Sequence, residues 1–329
     1  MQKNGKFVIS LDLELFWGVR DKRTIKGYGD SIKKVHEITP HMVKMFEEYG
    51  IKATWATVGF LFAKDKNEMI HFSPKEKPKY ENQNLSPYSD NFQLVKNSLE
   101  EDPYHFGNDL IEELFKNPNQ EIASHTFSHY YCLEEGQTFD EFQKDIEAAV
   151  KIAESKEIKL TSLVFPRNQT NKKYLDVCVK NGIHTYRGNE NVWYKDTDRS
   201  RGILLIKKIF RTGDCYLNVS GHHCYNLDDL PTSAPFNVPS SRFLRPYIAK
   251  GGILLESLKL RRIKKSMTHA AKRGMLYHLW WHPHNFGANT KVNFRTLEKI
   301  LNHYIKLNKK YGFESSTMTE ISNICAGTP

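Results

Sequence analysis

Residues 6–18 read KFVISLDLELFWG. Phe7, Val8 and Ile9 form an apolar run, which predicts a buried strand over Phe7–Leu13. Asp12 and Glu14 then appear two residues apart among Leu11, Leu13 and Leu15. Residues i and i+2 of a strand share a face, so both carboxylates point the same way at the end of an apolar strand. Two like charges in that position need a reason.

Working outward, strands and helices alternate. A helix is expected over Ser31–Tyr49, stopped by Gly50. Further strands are expected at Ile51–Val58, Gln120–Ser124, Leu160–Phe165, Ile183–Tyr186 and Met275–Trp281. Helices are expected at Asn108–Lys116 (capped by Asn108), Phe139–Glu154, Asn171–Asn181, Leu258–Arg273 and Phe294–Lys309, and Met318–Ile324 adds a last turn. Repeated β-then-α units point to an α/β fold with a mainly parallel sheet, open or closed into a barrel. Ligands of such sheets sit at the carboxyl ends of the strands. We read residues 1–329 as one domain. The polar stretch 63–103 is read as an insertion or lid, and 188–249 as an irregular segment.

The 329 residues suffice for a sizeable core, and no stretch reaches the roughly 18–20 apolar residues of a membrane span. The N-terminus runs straight into the first strand without a signal-peptide core. Five scattered cysteines without CxxC pairing read as free thiols, and a cytoplasmic location is expected. The formal charge of +10 is spread along the chain without a nucleic-acid motif, so no nucleic-acid partner is expected. The densest basic cluster, LKLRRIKKSMTHAAKR at 258–273, reads as a solvated amphipathic helix; the sharper alternative is a basic face toward an anionic substrate or a membrane surface.

Four strand ends carry polar groups. Asp12 and Glu14 follow the first. SHTFSH at 124–129 supplies His125 and His129, an i, i+4 pair that one helical turn would place on one face, as metal ligands often are. FPRNQ at 165–169 supplies Arg167, and HPH at 282–284 supplies His282 and His284. Singly, each has a structural explanation: a solvated acidic edge, a chance pair, a surface arginine, a strand cap. Together, at successive strand ends, they describe one convergent site.

In this order, DxE, then H-T-x-x-H, then Arg beside Pro, then His after an apolar strand, the chain resembles the NodB-type polysaccharide deacetylases (carbohydrate esterase family 4). IKATWATVG at 51–59 and EIASHTFSHYYC at 121–132 carry the likeness further. The DxE spacing and the terminal HPHNFG look like divergent members associated with surface-polysaccharide biosynthesis. The resemblance implies a distorted (β/α) barrel, mainly of parallel strands, and a metal-dependent carbohydrate deacetylase. It implies that Glu14, His125 and His129 hold a divalent ion, zinc by preference, and that Asp12 is the general base. Arg167 would pair with Asp12, and His282 would be the general acid, with His284 as second choice. The family's adjacent acidic pair is here split by Leu13. Its third motif brings a Tyr N–H to the oxyanion, for which Asn168 or Gln169 would substitute. Asp214 or Asp228 would support the arginine.

The expected substrate is an N-acetyl sugar in a polysaccharide or a nucleotide- or lipid-linked intermediate, whose phosphates suit the positive charge. Trp17, Trp193, Tyr194, Trp280 and Trp281 offer aromatic faces to sugar rings or serve as core. Peripheral membrane contact stays open, as does oligomeric state. The alternatives are a deformylase or cyclic-amide hydrolase on the same scaffold, or an inactive carbohydrate-binding protein.

Overall fold

The computed structural model describes residues 4–190, 192, 210 and 212–327. Strand β1, Lys6–Leu13, lies in the middle of the sheet and is buried from Phe7 onward. Its side chains alternate. Phe7, Ile9, Leu11 and Leu13 join the main apolar cluster shared with the helices. Val8, Ser10 and Asp12 therefore share the other face, toward the interior of the curled sheet.

Strand β2, Ala53–Thr57, pairs in parallel with Ile9–Leu13 of β1. The sheet continues through β3 (Gln120–Ser124), β4 (Ser162–Leu163) and β5 (Thr185–Tyr186), all parallel. Short β6 (Phe236–Asn237) adds to β5. On the other side of β1 lies β8 (Leu276–Trp281), followed by β7 (Arg242–Phe243). The order is β6-β5-β4-β3-β2-β1-β8-β7, and β9 (Glu314–Ser316) pairs with Lys6–Val8. Both outer edges belong to one stretch of chain. The N–H groups of Val238 and Ser240 donate to the carbonyls of Tyr186 and Gly188. Those of Ser241 and Leu244 donate to His278 and Trp280. Residues 236–243 thus bridge β5 and β8, and the sheet curls into the distorted (β/α) barrel.

The helices are α1 (Ile25–Lys33), α2 (Val35–Glu48), α3 (Lys66–Phe72), α4 (Asp90–Leu94), α5 (Asn108–Phe115), α6 (Phe139–Glu154), α7 (Leu175–Lys180), α8 (Gly252–Arg273), α9 (Thr290–Tyr311) and α10 (Met318–Ala326). Several bounds differ from expectation. The helix expected from Ser31 begins at Ile25, capped by the Thr24 hydroxyl, and breaks between Lys33 and Val35. Gly107 rather than Asn108 occupies the N-cap of α5. The basic helix starts at Gly252, and the fourth strand keeps only Ser162–Leu163. Stretch 63–103 holds α3, α4 and a 3-10 turn, and buries Met69, Tyr80, Leu85 and Val95. All five cysteines are free thiols. No helix among the described residues is long and apolar enough to cross a membrane.

Below the carboxyl ends the interior is closed by apolar packing. Met318 and Ile321 of α10 meet Val8, Ala56, Val164, Val238 and Leu276 from five strands or strand flanks. A capping box between Thr317 and Glu320 fixes where this helix starts. Truncating Ile321 to Ala removes a fully buried side chain from that floor. We expect a loss of about 2–5 kcal/mol in urea unfolding; a change within about 0.5 kcal/mol would contradict the packing role.

Candidate metal centre

Asp12 is the last inward residue of β1 and is almost completely buried. Its charge is met by Arg187, which leaves β5 at its carboxyl end. Arg187 Nη1 donates to Asp12 Oδ1 at 2.7 Å and Nη2 to Oδ2 at 2.8 Å, a two-pronged ion pair. The guanidinium is held in turn by Ser10 Oγ at 2.9 Å, by Asn168 Oδ1 at 2.9 Å and by the face of Trp280, 4.2 Å away. Beneath it, Ser10 Oγ lies 2.8 Å from His278 Nε2, and His278 Nδ1 lies 3.3 Å from the Val238 carbonyl. A donor-only arginine beside Ser10 makes the serine hydroxyl the donor to His278. Burial raises the Asp12 carboxyl, but Arg187, His125 and His282 outweigh it and hold it below its ordinary value.

Glu14 has a different set of partners. The chain leaves the strand at Glu14 and turns sharply at Leu15, whose φ is 45°. The Glu14 carboxylate then rests over Gly18: a Cβ on Gly18 would stand 1.9 Å from Glu14 Cδ. That overlap explains the glycine closing the stretch 6–18. Glu14 Oε2 lies 3.0 Å from His129 Nε2 and 3.5 Å from His125 Nε2. Donor atoms of the three residues all fall within 4.8 Å of one another, and all three side chains are buried. Burial raises the Glu14 carboxyl, whereas His282, His125 and His129 drive it well below its usual value.

His125 and His129 do not share a helical turn. Residues 125–129 form an irregular loop in which Thr126 and His129 take positive φ, 61° and 56°. Asp145 of α6 ties this loop down, accepting from Phe127 N at 2.7 Å, Ser128 N at 3.1 Å and the Ser128 hydroxyl. His125 Nδ1 lies 2.8 Å from the Val164 carbonyl, to which it donates, so its Nε2 presents a lone pair. That Nε2 is buried and has no hydrogen-bond partner. Arg20 Nη1 faces His129 Nδ1 at 3.2 Å, which leaves the ring proton on Nε2, toward Glu14. Two imidazole nitrogens and one carboxylate oxygen would suit a zinc-like ion with open positions, with His129 offering Nε2 once its ring proton sits on Nδ1 and Arg20 turns from that nitrogen.

His282 and His284 complete the mouth from the end of β8. His282 Nε2 lies 3.6 Å from Asp12 Oδ2 and 3.7 Å from Glu14 Oε1, with its ring partly exposed. His284 Nδ1 lies 3.8 Å from Glu14 Oε1 but is buried, and its pKa falls to about 4 through burial and the neighbouring His282. Of the aromatic residues, Trp17 and Trp281 are core, Trp280 backs Arg187, and Phe243 stands between Trp280 and His282 at the rim. Trp193 and Tyr194 lie outside the described residues.

Three expectations are corrected. Arg167 does not reach Asp12; it pairs with Asp21 and Glu134 and stacks on Tyr131, 3.9 Å from the ring centre. Arg187 holds the place assigned to it. The N–H groups of Asn168 and Gln169 are already engaged within the turn, with the carbonyls of Phe165 and Pro166. Asp214 pairs with Arg242 and Arg262, and Asp228 is exposed in the 3-10 turn Leu227–Asp229, so neither supports the Asp12 arginine. Arg187, Ser10 and His278 were missed. The usable signal was Arg187 directly after the strand Ile183–Tyr186, at yet another carboxyl end.

Comparison with known proteins agrees with this geometry. Residues 26–186 match the family model described as polysaccharide deacetylase, and over that stretch the chain is similar to the NodB-type family. A Mycobacterium smegmatis protein assigned as a polysaccharide deacetylase superposes with a TM-score of 0.61 at 10% identity, over 98% of this chain and 91% of that one. PuuE allantoinase superposes at 0.52 and 10% identity, over 97% and 89%. A GH57-type branching enzyme from Pyrococcus horikoshii does so at 0.52 and 10%, over 96% and 69%. At these identities the likeness is one of fold. No curated protein sequence matches the chain.

Two outcomes follow for the protein itself. Gly18→Ala must push the Glu14 carboxylate aside. If Glu14, His125 and His129 hold zinc, the ion raises the melting temperature of the parent protein, and we expect that upshift to vanish in this variant while the metal-free melt stays cooperative; an undiminished upshift would contradict the Gly18–Glu14 contact. Burial also holds His129 and His278 at about 3 and His284 at about 4. Unfolded histidine protonates near 6.5, so below that value the unfolded chain binds more protons and metal-free stability falls as pH drops from 7 to 5. His36, raised by Asp109 against its burial, and Asp145, raised by burial to about 6, oppose this, whereas His222, held at about 4, and the lowered His223, His269 and His303 add to it. Urea unfolding at both pH values checks the sign, and equal or greater stability at pH 5 contradicts it.

Proposed function

We propose that the chain hydrolyses the N-acetyl group of a sugar, and that the substrate is a nucleotide- or lipid-linked intermediate of surface-polysaccharide biosynthesis handled in the cytoplasm. The observation that carries this reading is the division of partners between the two carboxylates: Arg187 on Asp12, imidazoles around Glu14. Glu14, His125 and His129 would hold a divalent ion, zinc by preference. When bound, such an ion supplies Lewis acidity and acidifies water at neutral pH.

The remaining roles fall to this chain's own groups. Asp12, kept ionised by Arg187, takes the proton of the attacking water. His282, partly exposed and 3.6 Å from Asp12, gives a proton to the leaving amine. Buried His284 sits behind it and sets its position. Asn168 takes a role that backbone N–H groups cannot fill here. Arg187 has only donors to offer, so it fixes the Asn168 oxygen toward itself and turns Nδ2 away. Nδ2 is then the nearby donor for the acyl oxygen as it gains charge. Phe243 offers the rim face against which a sugar ring packs.

Acetate release from a nucleotide-linked N-acetylhexosamine in the presence of zinc tests the reading. We expect Asp12→Asn to lose about 10²- to 10⁴-fold in kcat while still binding zinc, and full activity in that variant would refute the role of Asp12. Formate or a ring-opened product from a matched panel, without acetate, would replace the deacetylase reading with a deformylase or cyclic-amide hydrolase. Asn168→Ala should cost about 10²-fold or more in kcat with little change in KM. An unchanged kcat would remove Asn168 from the reaction.

A further inference from the structure

Several exposed large apolar side chains gather in one corner of the molecule. Leu217 and Val219 lie in the stretch 212–219, and Ile248, Ile253 and Leu254 run from the end of the β7 connection into the first turn of α8. Ile253 is 82% exposed and Leu254 71%. The two stretches are neighbours, since the Asp214 carboxylate lies 3.1 Å from Arg242 Nη1 of β7 and 3.6 Å from Arg262 Nη2 of α8. The first turn of α9 joins them, Tyr247 N donating to Asn293 Oδ1 at 2.8 Å. Exposed contiguous apolar groups of this kind mark an interaction site.

The surroundings of this corner are cationic. Lys250, Arg261, Lys291 and Arg295 are exposed, and none forms an ion pair among the described residues. Leu254, Arg261 and Lys265 recur at i, i+7 and i+11, so one exposed face of α8 runs from apolar to basic. The one acidic side chain of the first turns of α8, Glu256, is taken up by Lys259 at 2.9 Å and by Thr296. A second copy of the chain is a poor occupant, because a two-fold contact would press these cations against their own kind. Apolar side chains set among unpaired cations instead match a surface that is apolar inside and anionic outside.

The corner also lies beside the candidate metal centre. Phe243 packs against His282, with ring centres 5.7 Å apart. Ile248 follows only five residues later, so it lies within about 17 Å of Phe243. α8 starts at the barrel face where the strands end and the site opens.

We propose that this corner docks on an anionic lipid bilayer, with Ile248, Ile253 and Leu254 entering the headgroup boundary and Lys250, Arg261, Lys291 and Arg295 meeting lipid phosphates. This rests on the deacetylase reading only for its purpose, which is to bring the mouth to a sugar carried on a lipid phosphate at the membrane surface.

Cosedimentation of the full chain with vesicles tests the surface without any substrate. Vesicles of phosphatidylcholine with a quarter phosphatidylglycerol should bind the protein, and phosphatidylcholine alone should not. Ile253→Ser with Leu254→Ser should weaken binding about tenfold for each side chain. Lys250→Glu with Lys291→Glu should weaken it about tenfold or more and flatten its salt dependence. Both pairs are exposed, and unchanged circular-dichroism melts confirm that the variants fold. Absence of binding, equal binding to both vesicle types, or binding untouched by either pair overturns the proposal. So does a dimer in sedimentation velocity that the Ser pair abolishes. Vesicle binding without acetate release from a lipid-linked N-acetyl sugar would fail the substrate reading and leave the surface standing. Release without vesicle binding would do the reverse.

Discussion

Two carboxylates buried a few ångströms apart repel each other and lose their hydration, so neither stays ionised without cations or donors of its own. Asp12 and Glu14 meet that constraint with separate partner sets, and much of the architecture serves to bring those sets in. Arg187 comes from the end of β5, His125 and His129 from the end of β3, and His282 and His284 from the end of β8. A curled parallel sheet is what allows the ends of β3 and β5 to converge, with that of the adjoining β8, on the end of β1. The bridging stretch 236–243 closes that curl and supplies the Val238 carbonyl that orients His278, and through it Ser10 and Arg187.

Backbone strain concentrates at the same place. Leu15, Thr126, His129, Arg167 and Asn168 all take positive φ beside the site, a conformation that costs of order 1–3 kcal/mol for such residues. The costs are offset locally by Asp145 beneath the 125–129 loop and by the Gly18 space under Glu14. The strain at Leu15 also answers the question of the extra Leu13. Glu14 is no longer in the strand, so its carboxylate is aimed by a turn rather than by strand alternation.

How much of this is legible in the sequence depends on the range of the signal. The buried first strand, the β–α alternation and the placement of Asp12, Glu14, His125, His129 and His282 at strand ends are local patterns, and all are found together in the structure. The helical reading of His125 and His129 failed because spacing alone cannot report the positive φ at Thr126 and His129. Arg167 carries a sequence mark, its place beside a proline in a motif, and Arg187 carries no such mark. Asp21 and Glu134, which claim Arg167, are remote in sequence, and so is Asp12 from the arginine that does reach it. The helix break at Lys34 and the edge-bridging stretch 236–243 depend on tertiary packing, which no local period records.

The central claim is that Glu14 belongs to the metal and Asp12 to the proton, kept apart by Arg187. A crystal structure of the zinc-soaked protein, with anomalous scattering at the zinc edge, tests this most directly. The account requires one zinc bound by Glu14, His125 Nε2 and His129 Nε2, with Asp12 still gripped by both nitrogens of Arg187. Zinc bound through Asp12, or zinc that leaves Glu14 unbound, would contradict it.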